Sequence, residues 1–214
     1  MKSASDYLDS TETAVVKLLE GIDSYLAILE KGVGVEFSGS FSSDIDADQF
    51  EEWRAANAEA IAERRRIMDE YSAQSFALST LAGSILQVAA KGIEWFSEGG
   101  PVPSEYEGLI KGRQAKFCVG DVVHGVKSGL IIYAGRNQFA HMNDPSLSAL
   151  NEAIFDHLAR GHGVKGMGHI KDPMFDLENE TLTVYSANIT GILGWRGTEG
   201  YSQYRSQMEY MLGI

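Results

Sequence analysis

The sequence predicts an all-α protein, an antiparallel four-helix bundle with additional C-terminal helices. Two observations carry this. Apolar residues recur every three or four positions over long stretches, and short Gly-, Pro- or Ser-rich breaks separate those stretches. With 214 residues, 44% of them hydrophobic, the chain can bury a core without covalent staples.

The first helix is expected over about residues 6–31, where Val15, Leu18, Leu19, Ile22, Leu26 and Leu29 form one stripe. Gly32, Gly34 and the run SGSFSS then predict a loop. A second helix is expected from Asp46–Asp48, whose carboxylates suit a helix start, through Phe50, Trp53, Ile61, Ile67 and Tyr71. A third, residues 75–97, has little polar face and should be central. It ends at Gly99-Gly100-Pro101-Val102-Pro103.

Residues 117–141 read as the fourth long helix, with Leu130–Tyr133 open to a strand reading. Gly120, Gly125, Gly129 and Gly135 disfavour helix by about 1 kcal/mol each against Ala, which is tolerable where another backbone packs closely. Asp144-Pro145 predicts an N-cap and first turn for a helix carrying Leu147, Leu150, Ile154 and Leu158. Residues 161–180 read as loop. Leu182, Tyr185, Ile189 and Ile192 keep helical spacing, with the alternating Thr181–Tyr185 open to a strand reading, and a last helix carries Tyr201, Tyr204, Met208 and Met211.

The net charge of −12 opposes nucleic-acid binding, which needs cations. It is unevenly spread. Residues 1–110 carry −12 and residues 172–214 carry −4, whereas residues 111–171 carry +4 and all five histidines. A single cysteine, Cys118, excludes an internal disulfide and suits a reducing, cytoplasmic setting. The N-terminus is acidic and interrupted by charges, unlike a targeting segment. The most apolar stretch, about residues 76–96, contains Ser, Thr, Gln, Lys and Glu, so no membrane partner is expected.

Within the basic stretch lies Arg136-Asn137-Gln138-Phe139-Ala140-His141. Helical spacing puts Asn137 and His141 on one face, and Arg136 is offset by about 100° with a side chain long enough to swing towards it. A fixed cation, an amide and an imidazole together suit RNA cleavage. The histidine moves a proton between the ribose 2′-OH and the leaving oxygen, and the arginine stabilises charge on the phosphoryl oxygens. The same residues suit a structural role at a helix end, as partners of a carboxylate or of backbone groups.

In this arrangement the chain resembles the HEPN superfamily, helical-bundle proteins whose nucleases carry Arg, a polar residue, three to five further residues and then His. The apolar SGLIIYAG before the motif and Ala140 before the histidine also match. The resemblance implies a HEPN-like bundle over residues 1–160. It leaves 161–214 unplaced, and these read as a loop and C-terminal helical extension packed on the same domain. It further implies a metal-independent endoribonuclease without cofactors, with Arg136, Asn137 and His141 as catalytic set. In such proteins two motif copies meet across a homodimer to form one RNA-cleaving site. Toxin or antiviral-defence roles are common in the superfamily, with an antitoxin or regulatory protein as a further partner. The alternative is a non-catalytic HEPN-like module for dimerisation or partner binding. Some toxins of this kind have a tyrosine two residues after the histidine that an antitoxin adenylylates; Asn143 stands there, which excludes that control.

Lys111, Arg113, Lys127, His162 and Lys165 are the candidate RNA contacts outside the motif. Gly161–Gly166 fits GxGxxG in letters only, because a helix precedes it and no βαβ unit surrounds it. His157, His162 and His169 lack the spacing and the completing ligand of a metal site, and no metal is expected. His124 reads as a core histidine of the fourth helix, Cys118 as packing, and Arg64-Arg65-Arg66 as a solvated helix face. Trp195 and the C-terminal tyrosines read as packing, with a dimer surface as the alternative.

Overall fold

The computed structural model describes residues 2–30, 47–144, 146–161, 171–179, 184–197 and 199–214. The described residues are predominantly helical, as expected. The long helices are α1 (Ala4–Glu30), α2 (Ala47–Ala56), α3 (Ala58–Phe96), α4 (Ser128–Ala140), α5 (Ala149–Gly161), α6 (Ser186–Ile192) and α7 (Gly200–Leu212). Two 3-10 turns, Ser104–Tyr106 and Gly112–Phe117, and a hairpin of β1 (Val122–Val123) with β2 (Val126–Lys127) lie between α3 and α4.

Residues 1–23 with 77–214 form one compact unit, and residues 24–76 form another. In the smaller unit, Phe50 and Trp53 stack with ring centroids 6.0 Å apart. Arg66 pairs with Glu63 and Glu70 on an exposed face, the solvated surface expected for the arginine triplet.

The helix boundaries follow local chemistry. Ser3 caps α1, its Oγ accepting the Asp6 N–H at 3.1 Å. The expected second and third helices are in fact one: α3 runs through 71–75 without a break, because no Gly or Pro interrupts it there. The interruption falls earlier, at Asn57, whose side chain donates to the Trp53 carbonyl at 2.7 Å alongside its own N–H.

The larger unit packs around α3 and α4. Ala82, Ile85, Leu86, Ala89 and Ile93 of α3 are fully buried, as are Leu130, Ile131, Ile132 and Ala134 of α4. Residues 74–96 are long and apolar enough to cross a membrane by length and composition alone, and 56% of that stretch is buried inside the chain. A core helix meets the same criteria. The helix α1 joins the core through Tyr7, whose hydroxyl donates to the Val88 carbonyl at 2.6 Å. Burial pushes that phenol up to about 12, so it remains a donor.

The fourth helix differs most from expectation. It begins at Ser128, not at 117, and the expected helix over 117–127 is replaced by a 3-10 turn and the hairpin. The register Val122↔Lys127 and Val123↔Val126 leaves His124 and Gly125 as a two-residue turn. Their φ values of 50° and 82° are both left-handed, the primed-turn geometry that closes tight hairpins. His124 is therefore a turn residue rather than a histidine of the helix core. The expected close backbone approach does occur, at Gly129: a Cβ there would collide with the Phe117 carbonyl oxygen.

The C-terminal segments close the same unit. Gln138 of α4 accepts the Tyr185 N–H at 3.1 Å, and Ser186 of α6 donates to the Ser79 carbonyl of α3 at 2.6 Å. Trp195 is fully buried edge-on to Tyr204 at 4.9 Å, with its Nε1–H on Gln207. Both rings serve the chain's own packing. Arg205 of α7 reaches Asp9 of α1 at 2.9 Å.

Gly129→Ala should destabilise the larger unit by about 2 kcal/mol, because the obstacle is backbone and cannot turn aside. The expected readout is a lower denaturant midpoint with an unchanged m-value. A midpoint equal to that of the parent would contradict the close approach.

Candidate functional site

The Arg-Asn-x-x-x-His element occupies the last turn and a half of α4, where the helix emerges from the core. Asn137 is buried and His141 is the exposed C-cap residue, its N–H donating to the Asn137 carbonyl at 2.9 Å. The chain then turns back, and the Asp144 N–H bonds the His141 carbonyl at 2.9 Å. This return places the Asp144 carboxylate 2.8 Å from His141 Nδ1. Nε2 has no partner among the described residues. A histidine held at one nitrogen and open at the other is arranged to pass a proton.

Asp144 was expected to cap the next helix, and it does not. The helix α5 starts at Ala149 and is capped by Ser148, whose Oγ accepts the Asn151 N–H at 3.4 Å. The Asp144 side chain is engaged with His141 instead. Pro145 lies outside the described residues.

Asn137 and His141 line a hollow of about 350 Å³ with Tyr133 of α4, Asp144, Leu147 and Asn151 of α5. The guanidinium of Arg136 is held beside it. Nη1 donates to Asn137 Oδ1 at 3.0 Å, and Nη2 forms an ion pair with Glu94 of α3. Arg136 Nε is buried with no partner among the described residues. Glu94 also pairs with Lys91, and its backbone carbonyl accepts Lys116 Nζ at 2.8 Å. Two cations thus share the Glu94 carboxylate and a third sits on its backbone carbonyl, which gathers Arg136, Lys91 and Lys116 around Glu94.

The other expected contacts divide. Lys111 and Arg113 are exposed on the 3-10 turn Gly112–Phe117. That turn is fastened to the hollow by Gln114, which donates to the Tyr133 hydroxyl at 2.8 Å. Lys127 is half-buried and donates to the Gly120 carbonyl at 3.1 Å, so its charge is partly committed to the hairpin. His162, Lys165 and His169 lie outside the described residues.

His157 pairs through Nδ1 with the Tyr106 hydroxyl at 2.9 Å, and burial pushes that phenol far above its ordinary range. Among the described residues no cluster of three His, Cys, Asp or Glu side chains is arranged to hold a metal ion. Cys118 is buried, and burial raises its thiol, which suits packing rather than nucleophilic attack. A second hollow, of about 290 Å³, is edged by Glu152, Asp156, Asp176 and Glu178. Lys171 bridges the last two of these carboxylates.

Sequence reasoning missed three contributors: Glu94, Asp144 as the partner of His141, and Asn151. Only Asp144 carried a signal, its three-residue spacing from His141. No model of a known protein family matches the chain, and no curated protein or solved structure matches it either.

Removing either partner of the Arg136–Glu94 pair leaves a charge in a site only about a fifth to a quarter exposed. Arg136→Ala and Glu94→Gln should each destabilise by about 1–3 kcal/mol. In a double-mutant cycle by chemical denaturation, the combined variant should lose less than the sum. Strict additivity would show that the pair is not coupled.

Proposed function

We propose that the chain is a HEPN-like, metal-independent endoribonuclease that acts as a homodimer. The observation that carries this reading is the exposed His141, fixed at Nδ1 by Asp144, at the same helix end as Arg136, whose guanidinium donates to Asn137 Oδ1. In the proposed bundle α1, residues 77–96 of α3, α4 and α5 are the four helices, and α6 and α7 are the C-terminal extension. The close seating of Gly83 of α3 against Phe139 of α4, and of Gly135 against Leu86, supports pairing of the two central helices.

In the proposed reaction the 2′-OH of the substrate ribose attacks the adjacent phosphorus. The 2′-O–P bond forms, the bond from phosphorus to the 5′-oxygen breaks, and a cyclic phosphate and a 5′-hydroxyl result. His141 Nε2 takes the proton of the 2′-OH, and Asp144 stabilises the imidazolium. A second copy of His141, brought by dimerisation, protonates the leaving oxygen. Arg136 and Lys116 offset the charge that grows on the phosphoryl oxygens. Asn137 keeps the guanidinium at this end of α4.

The pairing of Arg136 with Glu94 favours a second reading, a non-catalytic module that keeps the fold for dimerisation or partner binding. The two readings separate in one assay. The nuclease should cleave single-stranded RNA in EDTA, with His141→Ala and Arg136→Ala each slowing cleavage by about 100-fold or more and Asp144→Asn by about tenfold. A His141→Ala variant that melts like the parent yet cuts RNA at its rate, or a folded Arg136→Ala variant that does so, would end the nuclease reading. A persistent dimer with no cleavage would establish the module.

A further inference from the structure

The smaller unit carries a surface that none of the chemistry above uses. Glu51 and Ala55 of α2 and Ala58, Ile61, Ala62 and Arg65 of α3 line a groove of about 320 Å³. These positions fall three or four residues apart, so they share one face of the segment. Ala55, Ala58 and Ala62 are exposed and Ile61 is half-buried. The middle of the face is therefore apolar with one larger side chain, and its two ends carry opposite charges. Neither end is well satisfied. Glu51 meets Arg54 at 3.3 Å with both side chains more than half exposed, a contact that contributes little. Arg65 has no ion-pair partner among the described residues, whereas Arg66 beside it takes both Glu63 and Glu70.

Glu51 and Arg65 stand equally far along the chain from Ala58, one on each side. Each interval is nearly two helical turns, so all three point the same way. We propose that this groove is the contact face of an isologous homodimer, with α2 and the start of α3 of one copy lying antiparallel on those of a second and the two-fold axis at Ala58. Glu51 of each copy then faces Arg65 of the other, because a two-fold axis makes every contact twice. The same axis brings Ala55 against Ala62, and the aliphatic stem of Arg54 against Ile61. Any other partner would have to supply a base and an acid about 20 Å apart, which a second copy supplies by itself. Alanine at the axis lets the two helices approach to about 8 Å, the close end of helix packing. A face this small gives a reversible dimer that dissociates on dilution. The contact stands whether or not the chain cuts RNA, and it is a different surface from the end of α4.

Sedimentation of the full chain at several concentrations should show a monomer–dimer equilibrium. Glu51→Arg and Arg65→Glu each set like charges together twice per dimer and should weaken it at least about fivefold. The double variant Glu51→Arg/Arg65→Glu exchanges the two ends and should return the parent affinity to within about twofold. Both positions are exposed, so the variants keep the fold. Ala58→Cys tests the axis itself, where two copies of one residue come within disulfide reach, and mild oxidation should link the chains. Ala60→Cys, turned about 200° away, should not link them. The chain's own Cys118 is buried and adds no background. A monomeric parent chain, or a dimer as stable in either single reversal as in the parent, overturns the interface. So does a double variant no tighter than the singles, or cross-linking at Ala60→Cys equal to that at Ala58→Cys. A dimer that ignores the reversals yet cuts RNA in EDTA would sink this contact and leave the nuclease.

Discussion

The burial of α4 is the constraint on which the larger unit depends. This thirteen-residue helix shows almost no face to water, and four of its aliphatic side chains are fully enclosed. A helix so enclosed must be approached from every side, and its glycines make that possible. Gly129 admits the backbone of residues 117–119, and Gly135 admits Leu86 of α3 and Ile189 of α6. The hairpin before α4 and the C-terminal helices after it are therefore parts of one packing problem. Gln138, buried near the end of α4, fastens the start of α6 through the Tyr185 N–H.

The same enclosure explains why the polar chemistry gathers at the C-terminal end of α4. Only there does the helix leave the core, and its final carbonyls need partners or solvent. The chain turns back on itself through Asp144, which satisfies the His141 carbonyl with its backbone and the imidazole with its side chain. Glu94 reaches the same end from the last turns of α3, holding Arg136 and Lys91. The cations of this region are thereby tethered rather than free. Tethering lowers side-chain entropy in advance, which favours a fixed anion site over diffuse attraction. It also means that an incoming phosphate must compete with Glu94 for Arg136, and this is the tension between the catalytic and the non-catalytic readings.

The helical class, the α1 stripe, the centrality of residues 77–96 and the last helix with Tyr204 and Met208 were all legible in the sequence, because burial on one face imposes a 3.6-residue period. The position of His141 at the close of α4 was legible too. The hairpin was not, although its signal was present: Val-Val-His-Gly-Val-Lys carries a Gly at the second turn position between β-branched residues. The apolar valines fit either a helix or a strand over so short a run, and the two left-handed residues decided it.

By itself, the sequence determined which faces of the helices turn inward and which residue types stand together on α4. Its charge distribution also marked residues 111–171 as the cationic part of an acidic chain. Tertiary structure alone decided that Arg136 meets Glu94, 42 residues away, and that Asn151 of α5 lines the hollow beside His141. It also took Asp144 from helix capping and gave it to the imidazole. The physical reason is range. Periodicity and capping act within a few residues along the chain, whereas an ion pair or the lining of a hollow depends on which segments the core brings side by side.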